Sequence, residues 1–129
     1  MPVILDNPDG VHAPLGRYSH SAEAPAAARL VFVSGQVGMR PDGTVPHSAA
    51  EQADQAYANL VAVLAAKGVP PANIVKLTTF IVGEDEPGAI AAARAKHLGE
   101  HRPASTAVYV SRLVDPAWKV EIEAVAVKP

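Results

Sequence analysis

The sequence predicts an α+β fold in which two helices pack against one face of a mixed β-sheet. Three observations lead there. The chain has 129 residues with no linker, repeat or low-complexity segment, which reads as a single domain over 1–129. One long segment repeats its apolar residues with a helical period of about 3.6. Runs rich in β-branched residues flank it and a second, weaker helical segment, giving the order ββ-α-β-α-ββ.

Taken in order, residues 3–5 are a short edge strand, and Asn7-Pro8-Asp9-Gly10 has turn chemistry. Residues 29–35, Arg-Leu-Val-Phe-Val-Ser-Gly, form a strand ended by glycine. The Pro-Asp-Gly content of 40–48 makes a loop. Ser48 and Glu51 then have capping-box spacing, in which each side chain satisfies the other's orphan amide. Ala53, Tyr57, Leu60, Val61 and Leu64 share one helical face, and Gly68 with Pro70 and Pro71 stops the helix. Residues 73–82 are the next strand. A second helix runs over 87–99, with Pro87 tolerated in its first turn. Strands at 106–113 and 119–127 close the chain. The last strand is apolar on both sides apart from its glutamates, so the sheet face without helices is expected to be buried against another subunit.

Composition removes several classes of function. There is no cysteine, hence no disulfide framework, thiolate nucleophile or cysteine zinc site. A formal net charge of -2 supplies no basic footprint, which disfavours nucleic acid as the main partner. The opening residues Met-Pro-Val-Ile-Leu-Asp-Asn-Pro lack a basic n-region and a long apolar run. No stretch approaches the ~20 apolar residues of a membrane span. The expectation is a soluble cytoplasmic protein without a membrane partner.

Two motifs look more informative than they are. His97-Leu98-Gly99-Glu100-His101 matches the H-x-x-E-H pattern of inverted zinc proteases. However, Gly99 interrupts it and Pro103 follows closely, so it reads as a solvated helix end and no metal is expected. His12, His20 and His47 have no ligand spacing. Gly35-Gln36-Val37-Gly38 lacks the dinucleotide fingerprint, and Ser34 is not in a G-x-S-x-G elbow. The sharper signal is Lys119-Val-Glu-Ile-Glu-Ala-Val-Ala-Val127, where alternation puts Glu121 and Glu123 on one face with Val125 and Val127. Carboxylates on an otherwise apolar face suit proton transfer, or else intersubunit ion pairs.

Together, GRYSHS, LVFVSGQVG, EQADQAYANLVAVLAAKGV, NIVKLTTFIV, RPASTAVYVSRL and KVEIEAVAV resemble the RidA family, also called the YjgF or endoribonuclease L-PSP family, in order over nearly the whole chain. The resemblance implies a chorismate-mutase-like fold and a homotrimer whose sheets line a central barrel, with three clefts between subunits. In the deaminase branch those clefts hydrolyse enamines and imines such as 2-aminoacrylate to 2-keto acids and ammonia, using no metal or organic cofactor. By position, Tyr18 matches the family's pocket tyrosine, Ser34 and Gly35 the turn at the cleft, and Glu121 the glutamate that orients or activates water.

The chain also departs from the family pattern. Ser105 stands where the deaminase branch has the arginine that grips the substrate carboxylate, and serine offers neither charge nor planar fork. Ala91 replaces a common asparagine and Ala107 a common cysteine. Arg17, directly before Tyr18, and Arg102 are the candidate replacements. The resemblance thus implies a small imine, enamine or carbonyl ligand, with slow 2-aminoacrylate hydrolysis; a non-catalytic binding or chaperone-like trimer and an endoribonuclease or translation inhibitor are the alternatives.

Overall fold

The computed structural model describes residues 3–129. Strand β1 (Ile4–Asp6) pairs antiparallel with β2 (Ser21–Glu23) in a small ribbon of its own. The main sheet contains β3 (Arg29–Val37), β4 (Ile74–Ile81), β5 (Ala104–Tyr109) and β6 (Val120–Lys128), in the spatial order β3-β6-β4-β5. Pairing is antiparallel except between β4 and β5, which are parallel and joined through a helix crossover, so the sheet is mixed. Helix α1 (Ala49–Ala66) follows β3, and α2 (Ala89–Leu98) lies between β4 and β5.

Helix α1 forms where its periodicity demands, and Tyr57, Leu60 and Leu64 are fully buried along it. They meet Leu77 of β4 and Ile122, Ala124 and Ala126 of β6 in one core, with Leu98 of α2 closing one end. Val61 is only partly buried and packs at the margin. Truncating a buried leucine such as Leu60 to alanine costs about 2–5 kcal/mol, because a void adds to the lost transfer energy. Half of the anticipated capping box forms: the Glu51 amide donates to Ser48 Oγ at 3.1 Å. The Glu51 carboxylate turns to the Ser48 hydroxyl, at 3.2 Å, instead of the Ser48 amide.

Several boundaries move for local reasons. The strand expected over 106–113 begins at Ala104, immediately after Pro103, which has no N–H to give a ladder. It ends at Tyr109, beyond which the Val110 amide makes a last bond to the Ile81 carbonyl. Helix α2 starts at Ala89, not Pro87, and stops at Gly99, whose φ of 62° is the left-handed conformation that glycine adopts without strain. Strand β2 was not foreseen, since Ser-Ala-Glu carries no apolar alternation and is held by pairing alone.

Both helices cover one face of the sheet. On the other, alternation places Phe32, Lys76, Thr78, Phe80, Thr106, Val108, Glu121, Glu123 and Val125. Phe32 is 73% exposed and Leu30, at the end of the same strand, 52%. This is the apolar surface that the sequence left without cover.

Candidate functional site

The first cluster is built on an irregularity in β3. Its register with β6 runs to Val33 opposite Ala124 and resumes at Gln36 opposite Ile122, so Ser34 and Gly35 bulge out of the ladder. The Glu121 side chain occupies the notch. A Cβ added at Gly35 would stand 2.1 Å from Glu121 Oε1, so only glycine lets the carboxylate lie against the strand. Ser34 is exposed, and its carbonyl accepts from Gln36 Nε2 at 3.1 Å, which braces the bulge. Glu121 is half-buried and also edges a recess lined by Phe80, Val110, Arg112 and Leu113. Glu123 shares its face but is exposed.

The second cluster gathers at the start of β5. The Ser19 amide donates to the Pro103 carbonyl at 3.2 Å, and Ser19 bridges to Ala104, which sets Arg17 and Tyr18 beside that strand. The Tyr18 hydroxyl accepts from the Leu15 amide at 3.1 Å, while its ring meets His20 edge-on at 5.6 Å. Arg17 is exposed, as is Arg102. Ser105 is engaged within the chain: Oγ donates to the Pro103 carbonyl at 3.1 Å and accepts from Arg94 Nη2 at 2.6 Å.

Arg94 is the residue that sequence reasoning missed. It comes from the middle of α2, and its guanidinium is half-buried where the resemblance places an arginine side chain on β5. Burial, first of all, holds its pKa below the ordinary guanidinium value; Tyr57 opposes that shift, whereas the charges of Arg17 and Arg102 reinforce it. Burial also raises the Tyr57 phenol above its usual value. A signal was available: Ile90, Arg94 and Leu98 fall at i, i+4 and i+8, so the arginine lies on the stripe that packs inward.

The two clusters are separate within one chain. Ser105 is level with Leu77 on β4 and shares its helix-backed face, whereas Glu121 is level with Phe80 on the open face. The levels differ by three strand residues, a rise of about 10 Å. Tyr18, Arg17 and Ser105 are thus brought together, as are Ser34, Gly35 and Glu121, but one subunit does not join the sets. The two histidines of His-Leu-Gly-Glu-His go to different partners. His97 Nε2 lies 2.8 Å from Asp54 and its ring stacks on Tyr57, while His101 Nε2 donates to the Ile74 carbonyl at 2.7 Å.

A helix-backed mixed sheet with an open apolar face, a carboxylate set into a bulged strand and arginines at its edge defines a small α+β protein. The family profile described as Endoribonuclease L-PSP matches residues 10–128. The chain belongs to that family, known equally as the RidA or YjgF family, and has its fold. It is 35% identical over 118 residues to the 2-iminobutanoate/2-iminopropanoate deaminase of Rattus norvegicus, covering 90% of this chain and 83% of that protein. Against the deaminase of the same description from Escherichia coli K12 the identity is 35% over 103 residues, 77% of this chain and 80% of the other.

Among solved structures, the conserved Rid-family protein YyfB of Yersinia pestis superposes with a TM-score of 0.88 at 29% identity, covering 99% of this chain and 100% of that one. Escherichia coli TdcF, solved with bound serine, gives 0.72 at 30% identity, covering 90% and 91%. No helix among the described residues is long and apolar enough to cross a membrane.

Proposed function

We propose that this chain works in the cytoplasm as a homotrimer that binds or acts on a small imine, enamine or carbonyl metabolite in clefts between its subunits. The observation that carries the reading is the Ser34–Gly35 bulge locked onto Glu121 on the sheet face that no helix covers. A carboxylate there is a base at the margin of an apolar surface, and a neighbouring subunit laid on that surface would exclude water around it. The deaminase relatives support the same chemistry.

In the hydrolysis, Glu121 takes a proton from water as its oxygen bonds to the C=N carbon. Glu121 hands that proton to the nitrogen. It then takes the hydroxyl proton of the carbinolamine and passes it to the same nitrogen as the C–N bond breaks and the C=O bond forms. Ammonia thus leaves with both hydrogens of the water, and a carbonyl product remains. Backbone groups beside Gly35 face the developing charge, and the Tyr18, Ser105 and Arg17 cluster of the adjoining subunit orients the ligand. With neutral Ser105 on β5, 2-aminoacrylate turnover is slow relative to a deaminase carrying arginine there.

That same loss favours a second reading, a trimer that binds such ligands without turning them over. An endoribonuclease role draws only on the family's description, with a net charge of -2 against it. The test couples the protein to a pyridoxal-phosphate dehydratase that releases 2-iminobutanoate and follows 2-oxobutanoate. Acceleration lost in Glu121→Gln supports the enzyme, and ligand binding without acceleration supports the binding trimer. A monomer by light scattering removes the intersubunit site altogether.

A further inference from the structure

Arg94 is an arginine without an anion. The salt bridges among the described residues are Arg40–Glu51, Lys96–Asp54 and His97–Asp54, and Arg94 enters none of them. Among the described residues its one side-chain partner is the Ser105 hydroxyl, and its Nε is buried without an acceptor there. The charged groups whose fields reach it, Arg17 and Arg102, are cations too. Taking a guanidinium out of water beside like charges is costly, and folds compensate such groups with carboxylates or with ligands. Here the described residues supply Arg94 with no carboxylate.

Resting on the reading of a small-metabolite cleft, we infer that Arg94 binds the carboxylate of the ligand, and that Ser105 is the positioning residue that holds its guanidinium at the start of β5. The hydroxyl is suited to this. By donating to the Pro103 carbonyl, it turns a lone pair toward Arg94 Nη2, which fixes the plane of the fork and leaves the remaining N–H groups free for an anion. A charged side chain at 105 would compete for that space, whereas serine accommodates the arginine arriving from α2. Arg17 and Arg102 add positive potential at the rim and attract the anion without needing to touch it. The ligand class that follows is a small oxo or imino acid, not a neutral carbonyl compound.

The experiment is calorimetric titration of the wild-type protein, and of variants checked for fold and oligomeric state, with 2-oxobutanoate and with its uncharged amide. The wild type is expected to bind the acid at least tenfold more tightly than the amide, as a charge-assisted contact requires. Arg94→Gln should erase that preference while leaving amide affinity unchanged. Arg94→Lys, which keeps the charge and is the safer variant for folding, should retain part of the preference. Ser105→Ala should weaken acid binding severalfold with a smaller effect on the amide. A folded Arg94→Gln that still prefers the acid overturns the inference, as does loss of the preference in Arg17→Gln or Arg102→Gln with Arg94→Gln intact; either result leaves the proposed function standing. If the wild type binds neither compound and turns over no imine, both readings fall together.

Discussion

Two glycines three positions apart give the same chemical change opposite consequences. In Gly35→Ala the new methyl would stand 2.1 Å from Glu121 Oε1, 2.8 Å from its Cδ and 3.0 Å from its Cγ. All three atoms belong to a side chain that can swing away. Reaching an ordinary contact of about 3.5–4.0 Å moves the carboxylate by more than 1 Å. An off-rotamer Glu121 costs about 0.5–1.5 kcal/mol, and replacing a strand glycine returns about 0.5–1 kcal/mol, so stability should change by less than about 1 kcal/mol.

With Glu121 as the base of the proposed reaction, a displacement of that size costs on the order of 100-fold in rate. Gly38→Ala is the counterpart, because its methyl would lie 2.5 Å from Gln52 Cα and 2.6 Å from the Gln52 carbonyl oxygen, in the backbone of α1. Gln52 is 1% exposed, and its amide holds the Pro46 and Ala117 carbonyls and the Lys119 amide at 2.8–3.0 Å. Overpacking of about 1–3 kcal/mol plus a strained buried hydrogen bond of about 1–3 kcal/mol amounts to a loss of roughly 2–6 kcal/mol. A drop in melting temperature on the order of 10 °C follows. Urea melts at fixed protein concentration and 2-oxobutanoate release from 2-iminobutanoate separate the two effects. A Gly35→Ala protein with full kcat/KM would refute the catalytic role proposed for Glu121, and one as destabilised as Gly38→Ala would refute its placement as a movable side chain in the bulge.

Other substitutions probe the remaining elements. Ser105→Arg should lower the melting temperature by setting a second guanidinium against Arg94; adding Arg94→Ala should recover it and raise the 2-aminoacrylate rate, as a double-mutant cycle with turnover assays would show. Asp54→Asn should cost no more than about 1 kcal/mol, since its pairs are largely solvated. Hydrogen bonds from Lys96 and then His97 hold the Asp54 carboxyl below its ordinary pKa. Its contribution is therefore complete above the unfolded value of about 3.9 and lost as pH falls through the lower folded value, so wild type and Asp54→Asn should converge in urea melts near pH 2–3 while differing at pH 7. Ser48→Ala should lose about 0.5–2 kcal/mol of cap energy, read in the same melts.

Helix α1 was legible because its apolar spacing, its serine cap and its Gly68–Pro70 stop all agree, and its core residues followed directly. Glu121 was legible as a carboxylate on an apolar strand, but the reason for Gly35 was not. A bulge depends on which residue of β6 lies opposite, and β3 alone does not contain that information. Arg94 escaped for a related reason. In Ala-Ile-Ala-Ala-Ala-Arg-Ala-Lys-His-Leu the apolar stripe is thin, and an arginine on it becomes conspicuous only once β5 is known to lie beneath. Ser105 read as a loss when considered by itself, whereas its hydroxyl has a partner that comes from 11 residues upstream.

The order β3-β6-β4-β5 also bears on how a single copy of the chain fares. Both outer strands leave backbone open: β3 offers Leu30 and Phe32, and β5, bridged by Ser19 only at Ala104, offers Val108 and Tyr109. Neither carries a proline or an inward-pointing charge along its length, and what deters pairing on β3 is the arginine that opens it and the Ser34–Gly35 bulge near its other end. A newly released copy is thus a template for strand addition at two margins, and the hazard grows with the time and concentration at which it remains alone. Closing the sheets of several copies into a ring would remove both margins at once. Rapid assembly would then serve as this protein's defence against aggregation, in place of the charged gatekeepers that a lifelong monomer would need.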